Sequence, residues 1–164
     1  LITSSSSPVF GGVYKLVAVE EPTSGEIIPK IKVSENTTKI TNPHFKKLYR
    51  YYDNESGKAL ADELCVYDEV IDFSKPHTIF DQSATWKTKT HTDFTAKELL
   101  VPIFKGGKLV YELPDLKDVK RYCAYQVSTL WPEVKRFDYP HNYYVDLSEE
   151  LMALKDKMLM ERRG

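Results

Sequence analysis

The sequence is poor in the features of secreted, membrane-spanning and metal-binding proteins. Its 164 residues contain two cysteines, Cys65 and Cys123, which are too few for a disulfide framework or a zinc site. No apolar run approaches the roughly 20 residues of a membrane-spanning helix. Residues 1–8 lack the basic start and the long apolar stretch of a secretory signal. We therefore expect a cytoplasmic protein in which both cysteines are reduced, buried and unreactive.

Excess charge of either sign is also missing. The 23 Lys and Arg residues nearly balance the 24 Asp and Glu residues, so no overall field favours nucleic acid or an anionic membrane as a partner. The four histidines show no ligand spacing with one another or with the cysteines, and we expect no metal site. The adjacent acidic residues Asp62 and Glu63, like Glu149 and Glu150, are typical of surface charge.

The sequence does not begin with an initiator methionine. Leu1-Ile2-Thr3 has the character of the end of an apolar strand, and a short serine run leads from it into the apolar segment 13–19. We therefore expect the chain to begin inside a domain. Its function would then belong to a larger protein, with part of the chemistry upstream of residue 1.

The first two thirds of the chain carry strand patterns. Residues 27–33 alternate apolar and polar side chains, and Lys105-Gly106-Gly107-Lys108 predicts a hairpin turn, because its glycines tolerate positive φ. Turn-forming residues at 53–58 separate two further strands. Strands are predicted at residues 13–19, 27–33, 46–52, 59–67, 76–80 and 97–104.

Helical spacing replaces this pattern after Pro114. Asp115 is suited to cap a helix, which Pro132 ends or kinks, and a second helix is predicted to open near Asp146 or Ser148. The apolar stripe of the first helix is Leu116, Val119, Cys123, Val127 and Leu130, and that of the second is Leu147, Leu151, Leu154 and Met158. The predicted fold class is α+β, an antiparallel β-sheet followed by two C-terminal helices.

The segment 36–52 contains no acidic residue. It carries Lys39, Lys46, Lys47 and Arg50 together with hydroxyl side chains such as that of Thr41. Lysine and arginine beside such groups can hold a polyphosphate through short ionic hydrogen bonds. A solvated loop and strand face would show the same pattern, and both interpretations remain open on the residues alone.

Longer stretches of the sequence resemble the C-terminal part of the bacterial nicotinate phosphoribosyltransferases. The resemblance spans nearly the whole chain in order and spacing. Its most specific block is Gly11-Gly12-Val13-Tyr14-Lys15-Leu16-Val17-Ala18-Val19. The other blocks are residues 29–36, 39–43, 49–50, 105–110, 113–116, 130–136, 139–141 and 143–148.

The resemblance implies an enzyme of NAD salvage that forms nicotinate mononucleotide and pyrophosphate from nicotinate and phosphoribosyl pyrophosphate, with ATP hydrolysis and Mg²⁺. It implies a type II phosphoribosyltransferase, an α/β barrel with flanking domains acting as a homodimer. Residues 1–12 would be the tail end of the barrel and a linker, 13–112 a β-rich domain, and 113–164 helices packed on it. The catalytic histidine and the main phosphate-binding turn would lie outside this chain, so we expect no catalytic residue and an inactive fragment.

Analogy with the related nicotinamide enzyme implies a phosphate-binding role for Lys39, with Thr41 and with Lys46 or Lys47 as further candidates. At His44 many relatives have glycine, so the geometry of this loop is open to question. Two alternatives remain. The basic residues could only seat the sheet against the barrel, or the chain could be a stand-alone β-rich module that binds a phosphorylated or single-stranded nucleic-acid partner.

Overall fold

The computed structural model describes residues 12–81, 84 and 86–162. The expectations for the first eleven residues lie outside this range. The predicted α+β class is confirmed by ten short strands and three helices. The strands are β1 Ala18–Glu20, β2 Ile27–Pro29, β3 Lys46–Asp53, β4 Ala59–Val66, β5 His77–Phe80, β6 Thr88–His91, β7 Phe94–Glu98, β8 Phe104–Lys105, β9 Lys108–Leu109 and β10 Val145–Leu147. The helices are α1 Leu116–Thr129, α2 Pro132–Lys135 and α3 Glu149–Glu161, and Thr37–Lys39 forms one 3-10 turn.

Six strands form the central sheet, in the order β6-β5-β10-β4-β3-β7. Its two edge strands, β6 and β7, are joined by residues 92–93 alone, so the sheet must curl until its edges approach each other. Asn54, in the turn between β3 and β4, donates a 2.6 Å hydrogen bond to Asp93 and ties the two turns together. The concave side holds a core of Tyr51, Ala61, Ile79 and Phe94.

Strand β10 is the main element that is not predicted from the sequence. It inserts between β4 and β5, pairing antiparallel with β5 but parallel with β4, so the sheet is mixed rather than wholly antiparallel as predicted. The strand is only three residues long and follows an aromatic loop, so the sequence shows no alternation of apolar and polar residues from which a strand could be predicted. The strand predicted at 97–104 was wrong, because β7 ends at Glu98 and Pro102 offers no N–H to a ladder. The strand predicted at 13–19 is limited to Ala18–Glu20.

The predicted cap at Asp115 is confirmed, and of the two starts predicted for the second helix, Asp146 and Ser148, the structure has Ser148 as the cap. The Asp115 carboxylate accepts from the backbone N–H of Asp118 at 2.8 Å, and the Ser148 hydroxyl accepts from that of Leu151 at 3.2 Å. Leu147 and Leu151 are fully buried against Val66, which seats α3 on the sheet. The apolar stripe predicted for α1 is not buried, because Thr129 is the one buried residue of that helix. The expectation that both cysteines are buried was therefore wrong for Cys123, which is exposed, whereas Cys65 is buried.

Candidate functional site

A basic groove of about 550 Å³ lies beside the β1–β2 hairpin. Four of its eight lining residues are cationic, Lys15, Lys30, Lys32 and Arg162, and no acidic side chain lines it. Its apolar lining comes from residues such as Ile31, which is buried. Cations that converge without a neutralising carboxylate suit a phosphate-bearing ligand.

The groove is assembled from distant parts of the chain. The backbone N–H of Lys30 donates to the carbonyl of Val17 at 2.8 Å, which holds Lys15 and Lys30 on adjacent segments. Arg162 lies at the C-terminal cap of α3 and lines the groove from there. Neither Lys15 nor Arg162 is predicted as a candidate from the sequence, because no local spacing links residues so far apart.

Two of the predicted phosphate-binding residues, Lys39 and Thr41, lie in the segment that adjoins the groove. The Thr41 hydroxyl oxygen accepts from the backbone N–H of Lys32 at 3.0 Å, and the backbone N–H of Thr41 donates to the Lys32 carbonyl at 3.4 Å. Lys39 ends the 3-10 turn, two residues before Thr41, and is exposed. The structure thus brings Thr41 against the backbone of a groove residue and leaves the Lys39 side chain in solvent.

Lys46 has a different environment. Its ammonium group donates to the carbonyls of Asn42, Pro43 and His44 at 2.9, 3.1 and 2.6 Å. An ammonium has three donors, and these contacts use all of them. Burial lowers the pKa of Lys46 from its usual value. Lys46 therefore organises the preceding loop, and its proposed contact with phosphate stays a prediction.

That loop contains the residue at which the sequence departs from the resemblance. His44 has a φ of 74°, in the left-handed region that glycine enters without steric cost. The doubt raised about the loop geometry is therefore resolved, since the backbone keeps the glycine-like conformation with histidine in place. The three carbonyls gathered around the Lys46 ammonium include that of His44 itself, which helps to hold this conformation.

Lys47 points to the other side of β3 from Lys46, because successive strand residues alternate. Its ammonium lies 5.2 Å from the centre of the Tyr67 ring, in a cation–π contact. The four predicted residues therefore do not converge on one point. Thr41 adjoins the groove, whereas Lys46 and Lys47 are engaged elsewhere.

Arg50, the remaining cation of this segment, is also engaged. Its guanidinium binds the Asp62 carboxylate through two hydrogen bonds of 2.7 and 2.8 Å and donates to the side-chain oxygen of Gln126 at 2.9 Å. The Tyr143 hydroxyl also donates to Asp62, at 2.9 Å. Hydrogen bonding to Asp62 raises the pKa of Arg50, so this cation remains charged. The network joins the sheet to α1 and to the loop before β10.

A second polar cluster lies inside the curled sheet around Glu63, which is fully buried. Its carboxylate accepts from the Tyr51 hydroxyl and lies 2.9 Å from Nε2 of His77. Burial, followed by the Glu63 charge, raises the pKa of both Tyr51 and Cys65. The interpretation of Asp62 and Glu63 as surface charge was wrong. The missed signal was the small side chains at alternate positions of β4, which are typical of a strand buried on that side.

A second depression, of about 780 Å³, lies between the sheet and α2. Its charged lining residues include Lys87 and Lys89 but also Asp81 and Glu133. This mixture suits a polyphosphate less well than the uniformly cationic groove. Within residues 12–81, 84 and 86–162, no group of three His, Cys, Asp or Glu side chains could hold a metal ion. The helices of the same ranges include none with the length and apolar character to cross a membrane.

Comparison with known proteins shows the family to which the chain is similar. The profile of the nicotinate phosphoribosyltransferase C-terminal domain matches residues 45–155. The chain is 38% identical over 161 residues to the nicotinate phosphoribosyltransferase of Bacillus subtilis (strain 168), covering 98% of this chain and 32% of that protein. It is 30% identical to the Homo sapiens protein of the same name, over 96% of this chain and 28% of that protein.

The fold comparison agrees with the sequence comparison. A crystal structure of human nicotinic acid phosphoribosyltransferase matches with a TM-score of 0.66 and 26% sequence identity. That match covers 73% of this chain and 24% of the human chain. This chain thus spans about a third or less of the length of the curated relatives it matches.

Proposed function

Because the chain belongs to the nicotinate phosphoribosyltransferase family through its C-terminal domain, we propose that it serves as the C-terminal region of such an enzyme. The complete protein would join nicotinate to phosphoribosyl pyrophosphate, releasing nicotinate mononucleotide and pyrophosphate in NAD salvage. The observation that carries this proposal is the 38% identity along 98% of the chain to a relative of that name.

The role proposed for this region is to supply cations to a phosphate-bearing substrate. Lys39 and the basic groove offer cationic side chains that would stabilise the negative charge that develops during phosphoryl or pyrophosphate transfer. ATP, with its Mg²⁺, and pyrophosphate are the proposed ligands. The proposed setting is a cytoplasmic homodimer without a nucleic-acid partner, and the bulk of the catalytic apparatus would come from the remainder of the polypeptide.

The test is an assay of the full-length protein that contains this chain. We expect nicotinate mononucleotide to form only when nicotinate and phosphoribosyl pyrophosphate are both present, with ATP hydrolysed in parallel. We expect Lys39→Ala to raise the KM for ATP about tenfold or more, since a hydrogen bond to a charged group contributes about 1.5–3 kcal/mol. Lys97→Ala removes an exposed lysine of β7 and is the matched control.

The two parts of the proposal fail separately. If the full-length protein makes no nicotinate mononucleotide under any of these conditions, the proposed enzyme function is wrong. If the wild type is active and Lys39→Ala leaves both kcat and the KM for ATP unchanged, the role of Lys39 is rejected while the function stands. Lys30→Ala and Lys32→Ala then report whether the groove acts without Lys39.

A further inference from the structure

Residues 100–127, named here the 100–127 surface, carry an apolar face that the described chain does not cover. This surface comprises the β8–β9 hairpin and most of α1. Its large apolar side chains are exposed, with Leu116 at 82%, Leu113 at 69% and Phe104 at 67% of full exposure. Soluble monomers rarely expose contiguous apolar surface on this scale, and such surface marks an interface.

The exposure of this surface is not a defect in the packing of the domain, as helix α1 shows. Its predicted apolar stripe has the spacing of a helix face built to be buried, yet the four stripe residues within the helix, Leu116, Val119, Cys123 and Val127, are all exposed. The C-terminal end of the helix is nevertheless anchored. Gln126 accepts hydrogen bonds from Arg50 and Tyr52 at 2.9 and 3.2 Å.

That anchor fixes the rotation of α1 about its own axis. The stripe therefore cannot turn inward without breaking the hydrogen bonds to Gln126. Lys58 adds a further bond, since its ammonium donates to the Ser128 carbonyl at 2.8 Å. The stripe must be covered by something that approaches from outside the described residues.

Length and charge indicate what covers it. The relatives are about three times as long as this chain, and the matching family profile is that of a C-terminal domain, so in those proteins this region shares its polypeptide with a much larger body. Across the 100–127 surface, five cations outnumber three acidic residues, and one cation, Arg121, is paired with Asp118; the cations are Lys105, Lys108, Lys117, Lys120 and Arg121, and the acidic residues are Glu112, Asp115 and Asp118. Two copies of α1 packed face to face would bring like charges together, which disfavours a second copy as the occupant.

We propose that the 100–127 surface docks against the part of the full-length polypeptide that lies outside this chain, in an apolar groove rimmed by carboxylates. The inference rests on the proposal that this region works within a longer protein, and it does not depend on the reaction catalysed. Docking would bury the α1 stripe and hold the β8–β9 hairpin. It would fix the orientation of the domain and its basic groove relative to the remainder of the protein.

Cys123 is a built-in probe of this docking, with Cys65 as an internal reference. In full-length protein, the rate of iodoacetamide labelling at each cysteine is measured by peptide mass spectrometry, before and after denaturation in urea. Docking predicts that native Cys123 is labelled at least about tenfold more slowly than denatured Cys123, although the described residues leave it exposed. Labelling of Cys123 at similar rates in native and denatured protein would overturn the proposal. Buried Cys65 should be protected in the native state regardless.

Two variants separate docking from general destabilisation. Val119→Glu places a charge on the stripe and should restore fast labelling of Cys123 while Cys65 stays protected. Ala124→Glu adds the same charge to an exposed position away from the stripe and should leave Cys123 protected. If Ala124→Glu and Val119→Glu have equal effects, the stripe is not the docking face.

The identity of the occupant is tested by photocrosslinking. A benzoylphenylalanine in place of Leu116, a stripe residue that is 82% exposed, should crosslink within one polypeptide, giving a monomer-sized product whose partner peptide lies upstream of this region. A product of two chains would assign the surface to a second copy and overturn the proposal. Neither measurement requires turnover, so an inactive enzyme could still confirm docking, and an active one could still refute it.

Discussion

His91 is a buried histidine whose ring nitrogen Nε2 has no hydrogen-bond partner among the described residues. It lies 5.9 Å from the Tyr51 ring and 6.1 Å from the Phe94 ring, measured between ring centres, inside the curled sheet. Burial lowers its pKa below the usual 6.5, and the neighbouring Lys89 and His77 act in the same direction, against the opposing charge of Glu63. The folded protein therefore keeps this ring neutral at a pH where the unfolded chain has already bound a proton.

The stability that this neutral ring contributes should be lost as the pH falls below about 6.5, towards the lowered pKa of the folded state. We expect His91→Phe to flatten the fall in unfolding free energy between about pH 7.5 and pH 5.5. At pH 7.5 the variant should gain about 1 kcal/mol, since an unsatisfied buried nitrogen is replaced by an apolar edge. Urea unfolding across this pH range measures both effects.

His141 provides the control, because it is an exposed histidine. His141→Phe should reproduce the wild-type dependence on pH. If His91→Phe retains the acid-side loss of stability in full, the loss arises from other groups, and the inference that His91 stays neutral is wrong.

At the scale of elements, Gln126 is the main side chain of α1 that attaches the helix to the sheet, and Lys58 adds a bond to the Ser128 carbonyl. Gln126 accepts from Arg50 and Tyr52, and no apolar residue of α1 is buried to assist it. We expect Gln126→Ala to lower the free energy of unfolding by about 1–2 kcal/mol, because the half-buried guanidinium of Arg50 loses one acceptor. Lys120→Ala, on the exposed side of the same helix, should change it by less than about 0.5 kcal/mol. Equal denaturation midpoints for the two variants would show that Gln126 is not the anchor.

Elements with local signals were predictable from the sequence. The caps at Asp115 and Ser148 bond to backbone groups three residues away, so the neighbouring sequence contains both partners. The β3–β4 pair follows its turn at residues 53–58 for the same reason. Strand β10 could not be predicted, because its position between β4 and β5 is set by partners more than sixty residues away.

The candidate site divides in the same way. The acid-free segment 36–52 could be recognised from its composition alone, and it contains Thr41, which the structure places against the backbone of Lys32. The groove needs Lys15 and Arg162, from opposite ends of the described chain, and no pattern of spacing could join them. The sequence also could not show that the Lys46 ammonium donates all of its hydrogen bonds to loop carbonyls, because that arrangement depends on the left-handed turn at His44.

At the scale of the whole molecule, burial is concentrated in one body. Tyr51, Ala59, Ala61 and Cys65 on β3 and β4 have no exposed surface, whereas every residue from 101 to 110 is exposed. The curled sheet with α3 has the packing of a cooperative unit, and the β8–β9 hairpin stands apart as its own two-stranded sheet. Local opening should therefore be far less costly at the hairpin than in the central strands.

We expect native-state hydrogen exchange of this chain to follow that division. Amides of β3 and β4 should exchange slowest, and those of residues 101–110 should exchange close to the rate of an unstructured peptide. Peptide-level mass spectrometry over a range of exchange times measures this, with α3 as a reference for a helix that is packed on the sheet through Leu151. Uniform protection across the chain would mean that the hairpin is stabilised by contacts among copies, because the described residues give it no cover. In full-length protein the same peptides should gain protection, since the docking proposed for the 100–127 surface would remove their access to solvent.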